Sequence, residues 1–406
     1  FEWAAQVGTS TNDRSHAVTV DVAGNSYISG YTFGDLYEPN AGRNDAFLTK
    51  FDPSGNELWG LQVGTADDDL SYSVAVDVIG NVYMFGYTGD VDVDYDAFLT
   101  KFDASGTELW SRSISTPVRD LGYSVAVDGD GNAFISGITY GSLGGANLGG
   151  ADAFLVKYNA SGTELWSRQI GTTSDDASLS VAVDGAGNAF ISGTTDGSLG
   201  GPNAGSGDAY LTKLDASGTE LWSRQVGTTG DEAANAVAVD GAGNAYMSYF
   251  GAIIEPAGGA VIGFDDFLTK FDASGNELWS QQITLPAGYD VDVEDITVDD
   301  AGNVYITGLA TGPAPQENGA VLLKYDPAGN KLWQSESAGA GVGVSVALDG
   351  VGNAYISGHT YSGGVVGGPN AGGNDAFLVK FTVPEPATLT LLAFGVTALF
   401  RRGDRA

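Results

Sequence analysis

The chain has 406 residues and carries 51 acidic against 17 basic side chains, a formal net charge of −34. Hydrophobic residues make up 43% and charged residues only 17%, so the composition is that of a protein with a core rather than of a disordered acidic tail. The shortage of Lys and Arg excludes nucleic acid as a partner, and the absence of cysteine excludes disulfides, thiol catalysis and Cys-ligated zinc.

Three sequence features recur in phase along the chain. The first is the element Asp-x-x-Gly-Asn, which in one copy reads Asp-Asp-Ala-Gly-Asn; the others are a tryptophan and a lysine. The turn elements are 21–25, 77–81, 128–132, 184–188, 240–244, 299–303 and 349–353. The tryptophans are Trp3, Trp59, Trp110, Trp166, Trp222, Trp279 and Trp333, and the lysines are Lys50, Lys101, Lys157, Lys213, Lys270, Lys324 and Lys380. Seven copies of each indicate seven structural repeats.

One period, from Ser180 to Val226, contains four short segments rich in β-branched and aromatic residues, separated by Gly, Asp, Asn and Ser. Such segments predict four antiparallel strands, and four strands per repeat of this length are typical of a propeller blade. The sequence therefore predicts an all-β fold, a seven-bladed β-propeller of four-stranded antiparallel blades.

The two ends of the chain predict how the ring closes. Residues 1–3 match the fourth strand of a repeat although no third strand precedes them, and residues 375–381 form a third strand with no fourth after it. We expect the N-terminal strand to complete the last blade, which removes an exposed sheet edge.

The repeated sequence V-A-V-D-G-A-G-N-A-Y-I-S-G-T-T, followed by G-x-D-A-F-L-V-K-[FY], resembles the bacterial SBBP family of seven-bladed β-propeller repeats. The resemblance covers roughly residues 1–382. It implies a propeller in a secreted or surface setting and no common reaction. Blades five and six depart from the pattern, at residues 250–263 and 319–321.

Residues 383–406 form a separate segment: Val-Pro-Glu-Pro, an uncharged apolar run over 387–400, and a pair of arginines. A buried helix or short anchor is one interpretation, since the run is shorter than the roughly 20 residues that span a bilayer. The segment also resembles the PEP-CTERM sorting signal of Gram-negative bacteria. That resemblance implies an exosortase-type processing enzyme, removal of the tail, transient membrane association through it, and export to the surface or medium. Because the sequence begins at Phe1 and not at Met, we expect that a secretion signal was removed. The sorting-signal residues are Val383, Pro384, Glu385, Pro386, Arg401 and Arg402.

Recurring carboxylates are predicted on the face that carries the variable loops, and hard cations such as calcium prefer oxygen ligands. One set precedes the first strand of a blade: Asp13, Asp69, Asp120, Asp176 and Glu232. A second set opens the third strand: Asp45, Asp96, Asp152, Asp208, Asp266 and Asp375. If the two sets converge, as Asp176 with Asp208 in blade four, they would form a calcium site. The alternative is that these carboxylates cap turns by accepting backbone N–H groups.

Three further motifs have structural interpretations. The segment 128–132 superficially resembles a calcium loop, but its sister turns favour a hairpin turn. Repetition of the tryptophans in every blade favours packing between blades over a role as sugar platforms. Each repeated lysine is expected to meet a nearby carboxylate, as Lys50 would meet Asp52.

No enzyme signature accompanies His16 and His359, the two histidines, which fall in different repeats at different blade positions. The sequence therefore favours a non-enzymatic surface or extracellular-matrix protein. We expect a monomer that binds an exopolysaccharide or a surface protein through the variable acidic face. The alternative is a polysaccharide-active hydrolase or lyase that uses pairs of Asp side chains on that face.

Overall fold

The computed structural model describes residues 1–90, 94–254, 261–313, 318–335, 341–361 and 363–383. Over these ranges the chain forms seven four-stranded antiparallel sheets arranged as a ring of blades. The described residues include no helix. The predicted all-β, seven-bladed propeller is confirmed.

Each blade is a meander of four strands, and the strands are given in chain order. Blade one contains β2 (Asp13–Val20), β3 (Ser26–Thr32), β4 (Asp45–Phe51) and β5 (Glu57–Val63). Blade two contains β6 (Asp68–Val76), β7 (Val82–Asp90), β8 (Asp94–Phe102) and β9 (Glu108–Ile114). Blade three contains β10 (Asp120–Val127), β11 (Ala133–Thr139), β12 (Asp152–Tyr158) and β13 (Glu164–Ile170). Blade four contains β14 (Asp176–Val183), β15 (Ala189–Thr195), β16 (Asp208–Leu214) and β17 (Glu220–Val226).

The remaining blades are less regular in length. Blade five contains β18 (Ala233–Val239), β19 (Ala245–Ile254), β20 (Val261–Phe271) and β21 (Glu277–Gln282). Blade six contains β22 (Asp290–Val298), β23 (Val304–Thr311), β24 (Gly319–Tyr325) and β25 (Lys331–Gln334). Blade seven contains β26 (Gly341–Leu348), β27 (Ala354–Thr360), β28 (Ala376–Phe381) and the N-terminal β1 (Trp3–Val7).

The N-terminal strand closes the ring as predicted. β1 pairs antiparallel with β28, with Trp3 opposite Lys380 and Val7 opposite Ala376. Blade seven therefore combines the two ends of the chain in one sheet, and its third strand has no open edge.

The repeated Asp-x-x-Gly-Asn element is a hairpin turn in every blade. In blade four the Asp184 carboxylate accepts the backbone N–H groups of Ala186 and Asn188 at 3.0 and 2.9 Å, and the Asn188 amide at 2.8 Å. Gly187 has a φ of 78°, which only glycine adopts without strain. Residues 128–132 form the same hairpin, with Asp128 N–H bonded to the Asn132 carbonyl at 3.0 Å. The interpretation of that segment as a turn is confirmed.

The repeated tryptophans connect neighbouring blades through hydrogen bonds. The Trp166 indole N–H of blade three donates to the Ala216 carbonyl in the third turn of blade four at 3.1 Å, and Trp3, Trp59, Trp110, Trp222 and Trp279 bond in the same way. The apolar core also lies between blades, since Phe134 of blade three packs in one cluster with Val181 and Ile191 of blade four. The tryptophans are therefore packing residues, as predicted.

The repeated lysines are buried, and the ammonium groups of most of them contact carboxylates and carbonyl groups of the turns. Lys101, Lys157 and Lys213 form ion pairs of 3.3, 3.6 and 3.7 Å with the turn carboxylates Asp77, Asp128 and Asp184. The predicted contact between Lys50 and Asp52 is wrong. Lys50 donates to the Ala104 carbonyl at 3.1 Å, because the Asp52 carboxylate already accepts N–H groups within its own turn.

The meander gives the propeller two different faces. The short-turn face carries the turns between first and second strands and between third and fourth strands, and the variable face carries the longer loops and the starts of the first and third strands. In blades two and five the hairpin between second and third strands is extended, so that Asp96 and Asp266 lie inside β8 and β20 instead of opening them. β1 begins and β28 ends on the short-turn face, where Glu2 N–H bonds to the Lys380 carbonyl at 2.7 Å.

Candidate functional site

The inner strands of all seven blades contain a β-bulge at the same position. In blade one, Ser15 pairs with Gly30 and Ala17 with Ser29, so that the residue between them has no partner. A bulge re-aims the extra side chain, here into the central channel. The seven bulged residues are His16, Tyr72, Tyr123, Leu179, Asn235, Glu294 and Val344.

These seven side chains line a cavity of about 450 Å³ in the variable-face half of the channel, together with His359 of β27. The residue that follows the bulge is a repeated Ser in several blades, and it has a structural task. Ser73 accepts the Val125 N–H of the next blade at 3.1 Å, and Ser124 accepts the Val181 N–H at 3.1 Å. At the position after the bulge, the repeated serines therefore connect neighbouring blades. At the bulge itself the residue differs between adjacent blades, except that blades two and three both carry Tyr.

Aromatic side chains from blades one to three surround one side of this cavity. The His16 ring lies 4.6 Å from the Tyr72 ring and 5.2 Å from the Tyr31 ring, and Tyr72 stacks on Tyr87 at 5.1 Å with their hydroxyls 3.1 Å apart. Tyr72 also meets Tyr123 edge-on at 5.6 Å. The group, called the aromatic cluster below, consists of His16, Tyr31, Phe33, Tyr72, Tyr87, Tyr95 and Tyr123.

Burial sets the protonation of this group. Burial, with a smaller effect of the Arg14 charge, lowers the pKa of His16 and of His359 to about 4. Both imidazoles are therefore neutral at pH 7. Burial raises the pKa of Tyr123 to about 12, so that its hydroxyl remains protonated. On blade six, burial and the neighbouring Asp292 raise the pKa of Glu294.

The predicted metal-binding carboxylates lie at the junctions between blades. Asp176 lies near Asp152 of blade three, Asp13 near Asp375 of blade seven, and Asp69 near Asp45 of blade one. Burial raises the pKa of Asp176, Asp13 and Asp69, and the charge of the neighbouring Asp adds a smaller increase. A site in blade four would instead need Asp176 to converge with Asp208. The register places Thr195 of the second strand between those two residues.

Most of these carboxylates cap loops. Asp176 accepts the Thr172 N–H at 2.5 Å and its hydroxyl at 3.0 Å, with equivalent bonds at Asp13, Asp69, Asp120 and Glu232. Asp208 accepts the Ala204 N–H at 2.9 Å and the Gln225 amide at 2.7 Å, with equivalent bonds at Asp45, Asp152 and Asp375. Asp266, whose pKa burial raises to about 7, accepts the Val293 N–H at 3.1 Å.

These bonds support the turn-capping interpretation. One oxygen of Asp152, Asp176 and Asp208 is buried and has no hydrogen-bond partner among the described residues. Within those same ranges no group of three or more His, Cys, Asp or Glu side chains is arranged to hold a metal ion. Calcium binding stays a prediction.

The sorting-signal residues lie at the edge of the described chain. Val383 is buried against the core between blades six and seven, whereas Pro384, Glu385, Pro386, Arg401 and Arg402 lie outside the described residues. The described part of the chain contains no helix long and apolar enough to cross a bilayer.

Comparison with protein families identifies the repeats and the tail. Residues 2–38, 165–200 and 278–313 match the SBBP beta-propeller repeat, and residues 382–406 match the PEP-CTERM protein-sorting motif. The chain therefore carries SBBP beta-propeller repeats at three sites and a PEP-CTERM motif at its C-terminus. The motif implies processing by an exosortase-type enzyme and export to the cell surface or the medium.

Two curated proteins show weaker similarity to this chain. The regulatory protein FlaEY of Caulobacter vibrioides is 27% identical over 42% of this chain and 19% of its own length. An uncharacterized WD repeat-containing protein of Acanthamoeba polyphaga mimivirus is 23% identical over 86% of this chain and 35% of its own length. The chain therefore spans about a third or less of these relatives.

Solved structures share the fold at low identity. The beta-propeller domain of the Trilobed protease from Pyrococcus furiosus has a TM-score of 0.51 and 9% identity, covering 88% of this chain and 90% of that one. The polysaccharide lyase Uly1 has a TM-score of 0.52 and 12% identity, covering 91% and 89%. At this identity the likeness concerns the architecture alone.

Sequence reasoning missed the cavity residues. His16 and His359 were set aside because they occupy different repeats and different strands, yet closure of the ring places blades seven and one side by side. The detectable signal was the departure from the repeat, since His16, Tyr72 and Tyr123 occupy the position at which blade four has Leu179.

Proposed function

We propose that this exported propeller is a non-enzymatic surface or extracellular-matrix protein that binds a polysaccharide at the channel mouth. The binding site consists of the cavity and the aromatic cluster beside it. The observation that carries the proposal is the placement of aromatic residues outside the repeat on one sector of the variable face.

The exposure of the tyrosines separates ligand-binding candidates from packing residues. The tyrosines repeated at the second position of the second strand, such as Tyr27, Tyr83 and Tyr246, are fully buried. Tyr31, Tyr72, Tyr87 and Tyr123 are only partly buried, and Phe33 is 46% exposed. Partly exposed tyrosine rings offer a flat apolar face and a hydroxyl, which suits the apolar faces and hydroxyl groups of sugars.

The position of the tail fits this use of the variable face. β28 ends at Phe381 on the short-turn face, and the PEP-CTERM motif follows directly. A molecule held through its tail by the membrane or by the processing enzyme would therefore present the channel mouth away from the attachment point. Such an orientation leaves the site open to an extended polymer.

The alternative function, a polysaccharide-active hydrolase or lyase that uses Asp pairs, receives less support. Polysaccharide lyases are among the proteins that share the fold. The Asp residues of the two recurring sets, however, are largely buried and accept hydrogen bonds from loops. An Asp-based enzyme needs carboxylates that a substrate can reach.

A glycan array probed with the full chain tests the proposal, followed by titration of the best ligand. We expect Tyr72→Ala to weaken binding by about tenfold or more, because it removes the ring at the centre of the aromatic cluster. Phe264→Ala is the matched control, since Phe264 of blade five is an exposed aromatic residue outside the cluster. Equal losses in both variants, or no glycan bound by the wild type, would contradict the proposal. Shortened glycan products on incubation would favour the enzyme instead.

A further inference from the structure

The basic side chains of this acidic protein are unevenly placed. Besides the repeated lysines and the repeated Arg112, Arg168 and Arg224, the described residues contain Arg14, Arg43, Arg119 and Lys331. The first three lie on the variable face of blades one to three, beside the aromatic cluster, and Lys331 follows a turn on the short-turn face. Departures from the repeat thus bring positive charge and aromatic rings to the same sector.

Each of these arginines is tied to this sector. Arg14 lies close enough to Tyr31 for its charge to lower the pKa of that hydroxyl, against the larger raising effect of burial. The Arg119 guanidinium lies 5.5 Å from the centre of the Tyr95 ring. Arg43 lies 3.6 Å from both Asp68 and Asp90 and is therefore balanced by carboxylates. Arg14 has no such carboxylate partner in the described part of the chain, and it lies close enough to His16 and His359 to lower the pKa of both.

Three polar atoms at this point lack partners. Arg14 Nε, His16 Nδ1 and His359 Nδ1 are buried and make no hydrogen bond to any described residue. Buried polar groups in native proteins are almost always paired with protein, water or ligand. Two of these nitrogens belong to residues that line the cavity, and Arg14 lies near both histidines. Together they indicate a place where a hydrogen-bonding group from outside the chain completes the site.

We propose that Arg14, His16 and His359 bind the acid group, a carboxylate or a sulfate, of an anionic polysaccharide whose sugar rings lie on the aromatic cluster. The inference rests on the proposed function and adds the class of ligand. A guanidinium can donate two parallel hydrogen bonds to two oxygens of such a group. A neutral imidazole can donate its one N–H, and an anionic neighbour raises its pKa.

The remaining charges of the cavity favour one orientation of the ligand. Glu294 and Asp295 of blade six also line the cavity, and they repel an anion. The acid group is therefore directed towards blade one. The net charge of −34 opposes binding at long range, but at physiological ionic strength charges beyond about 8 Å are largely screened. The arginines nearest the ligand then dominate.

The test is calorimetric titration of the full chain with three polymers: polygalacturonate, which carries carboxylates, a sulfated galactan, and neutral dextran. We expect at least one acidic polymer to bind about tenfold more tightly than dextran, with the two acidic polymers distinguishing carboxylate from sulfate recognition. Arg14→Gln should remove that preference. Lys331→Gln, which makes the same change of charge on the short-turn face, should retain it.

Two outcomes would overturn this inference. Equal affinity for acidic and neutral polymers would remove the acid-group site while leaving polysaccharide binding intact, whereas binding of none of them and of no other glycan would remove both. Equal losses from Arg14→Gln and Lys331→Gln would mean that only net charge matters. Because Arg14→Gln could lower stability, His359→Gln on blade seven provides a second test of the same site, with melting curves recorded for each variant.

Discussion

The two faces of the propeller are built by the same strands but carry different kinds of residues. On the short-turn face the same Asp-x-x-Gly-Asn hairpin occurs in every blade, with Asp184 bonded to Ala186 and Asn188 as its sister residues are in their turns. On the variable face the bulged positions change from His16 to Tyr72 to Leu179 around the ring. The comparison teaches that repeated residues in this protein hold the blades together, and that ligand-binding candidates are found where the repeat is broken.

The largest expected effect comes from breaking the ring itself. Deleting residues 1–8 removes β1 and exposes β28, an edge that recruits other chains. We expect a large loss of stability or oligomerisation by strand exchange, measured by thermal melting and light scattering. Removing Phe1 alone, which lies before β1, is the control. A deletion variant that stays monomeric and as stable as the wild type would show that β1 does not close the ring.

The next effect concerns the short-turn face. Asp184→Ala removes the acceptor of three hydrogen bonds and the partner of Lys213, which lies 3.7 Å away. We expect a loss of about 1–3 kcal/mol in the free energy of unfolding, measured with denaturant. Asp130→Ala, in the equivalent turn of blade three, changes an exposed residue and should cost less than about 0.5 kcal/mol. Similar costs for both variants would mean that the carboxylate at the first turn position has no special role.

Asp295 offers a test of pH dependence on the wall of the channel. It stands where blades two, three and four have Ser, and it accepts the Val346 N–H at 2.9 Å. Burial raises its pKa from 3.8 to about 6. The folded state therefore binds more protons than the unfolded state between these values, so that this group stabilises the fold least above about pH 6.

Asp295→Ser should remove that cost. A serine can accept the same N–H, as Ser73 accepts that of Val125. We expect a gain of about 1–3 kcal/mol at about pH 8 that disappears at about pH 4, measured by denaturation at both pH values. A gain that is independent of pH would point to packing instead of ionisation.

Calcium at the blade junctions has the smallest expected effect. Binding to the native state adds about 0.4 kcal/mol per site when free calcium equals the dissociation constant. The prediction is a higher melting temperature in calcium than in sodium chloride of matched ionic strength, and the loss of this difference in Asp152→Asn combined with Asp176→Asn. Equal melting temperatures in the two salts would leave turn capping as the role of these carboxylates.

The sequence was sufficient for the architecture because each blade repeats the same local rules. Three features recur in phase: turn glycines such as Gly187, the tryptophans that bond to the next blade, and the alternation of apolar residues. The incomplete repeats at the two ends predicted the pairing of β1 with β28. The sequence identified the carboxylates at the blade junctions, but it did not predict which of them lie next to each other. Spacing within one repeat suggested Asp208 as the partner of Asp176, whereas packing between blades supplies Asp152.

The cavity was beyond reasoning by repeats, because its residues are the exceptions. The bulge that aims His16 into the channel follows from pairing of Ser15 and Ala17 with adjacent residues of β3, which sequence periodicity does not reveal. The approach of His359 to His16 requires closure between the last and first blades. An alignment of the seven repeats with one another would have identified His16, Tyr72 and Tyr123 as departures from the repeat.

The most direct test is the triple variant His16→Leu, Tyr72→Leu and Tyr123→Leu. It places leucine, the residue that blade four has at its bulge, at the bulges of blades one to three. Its affinity for the best polysaccharide and its melting temperature are measured on the same preparation as the wild type. The account predicts that binding falls by about a hundredfold or more while the melting temperature stays within about 3 °C, because Leu179 already occupies this position in a regular blade. Retained binding, or a fold that fails without these residues, would contradict it.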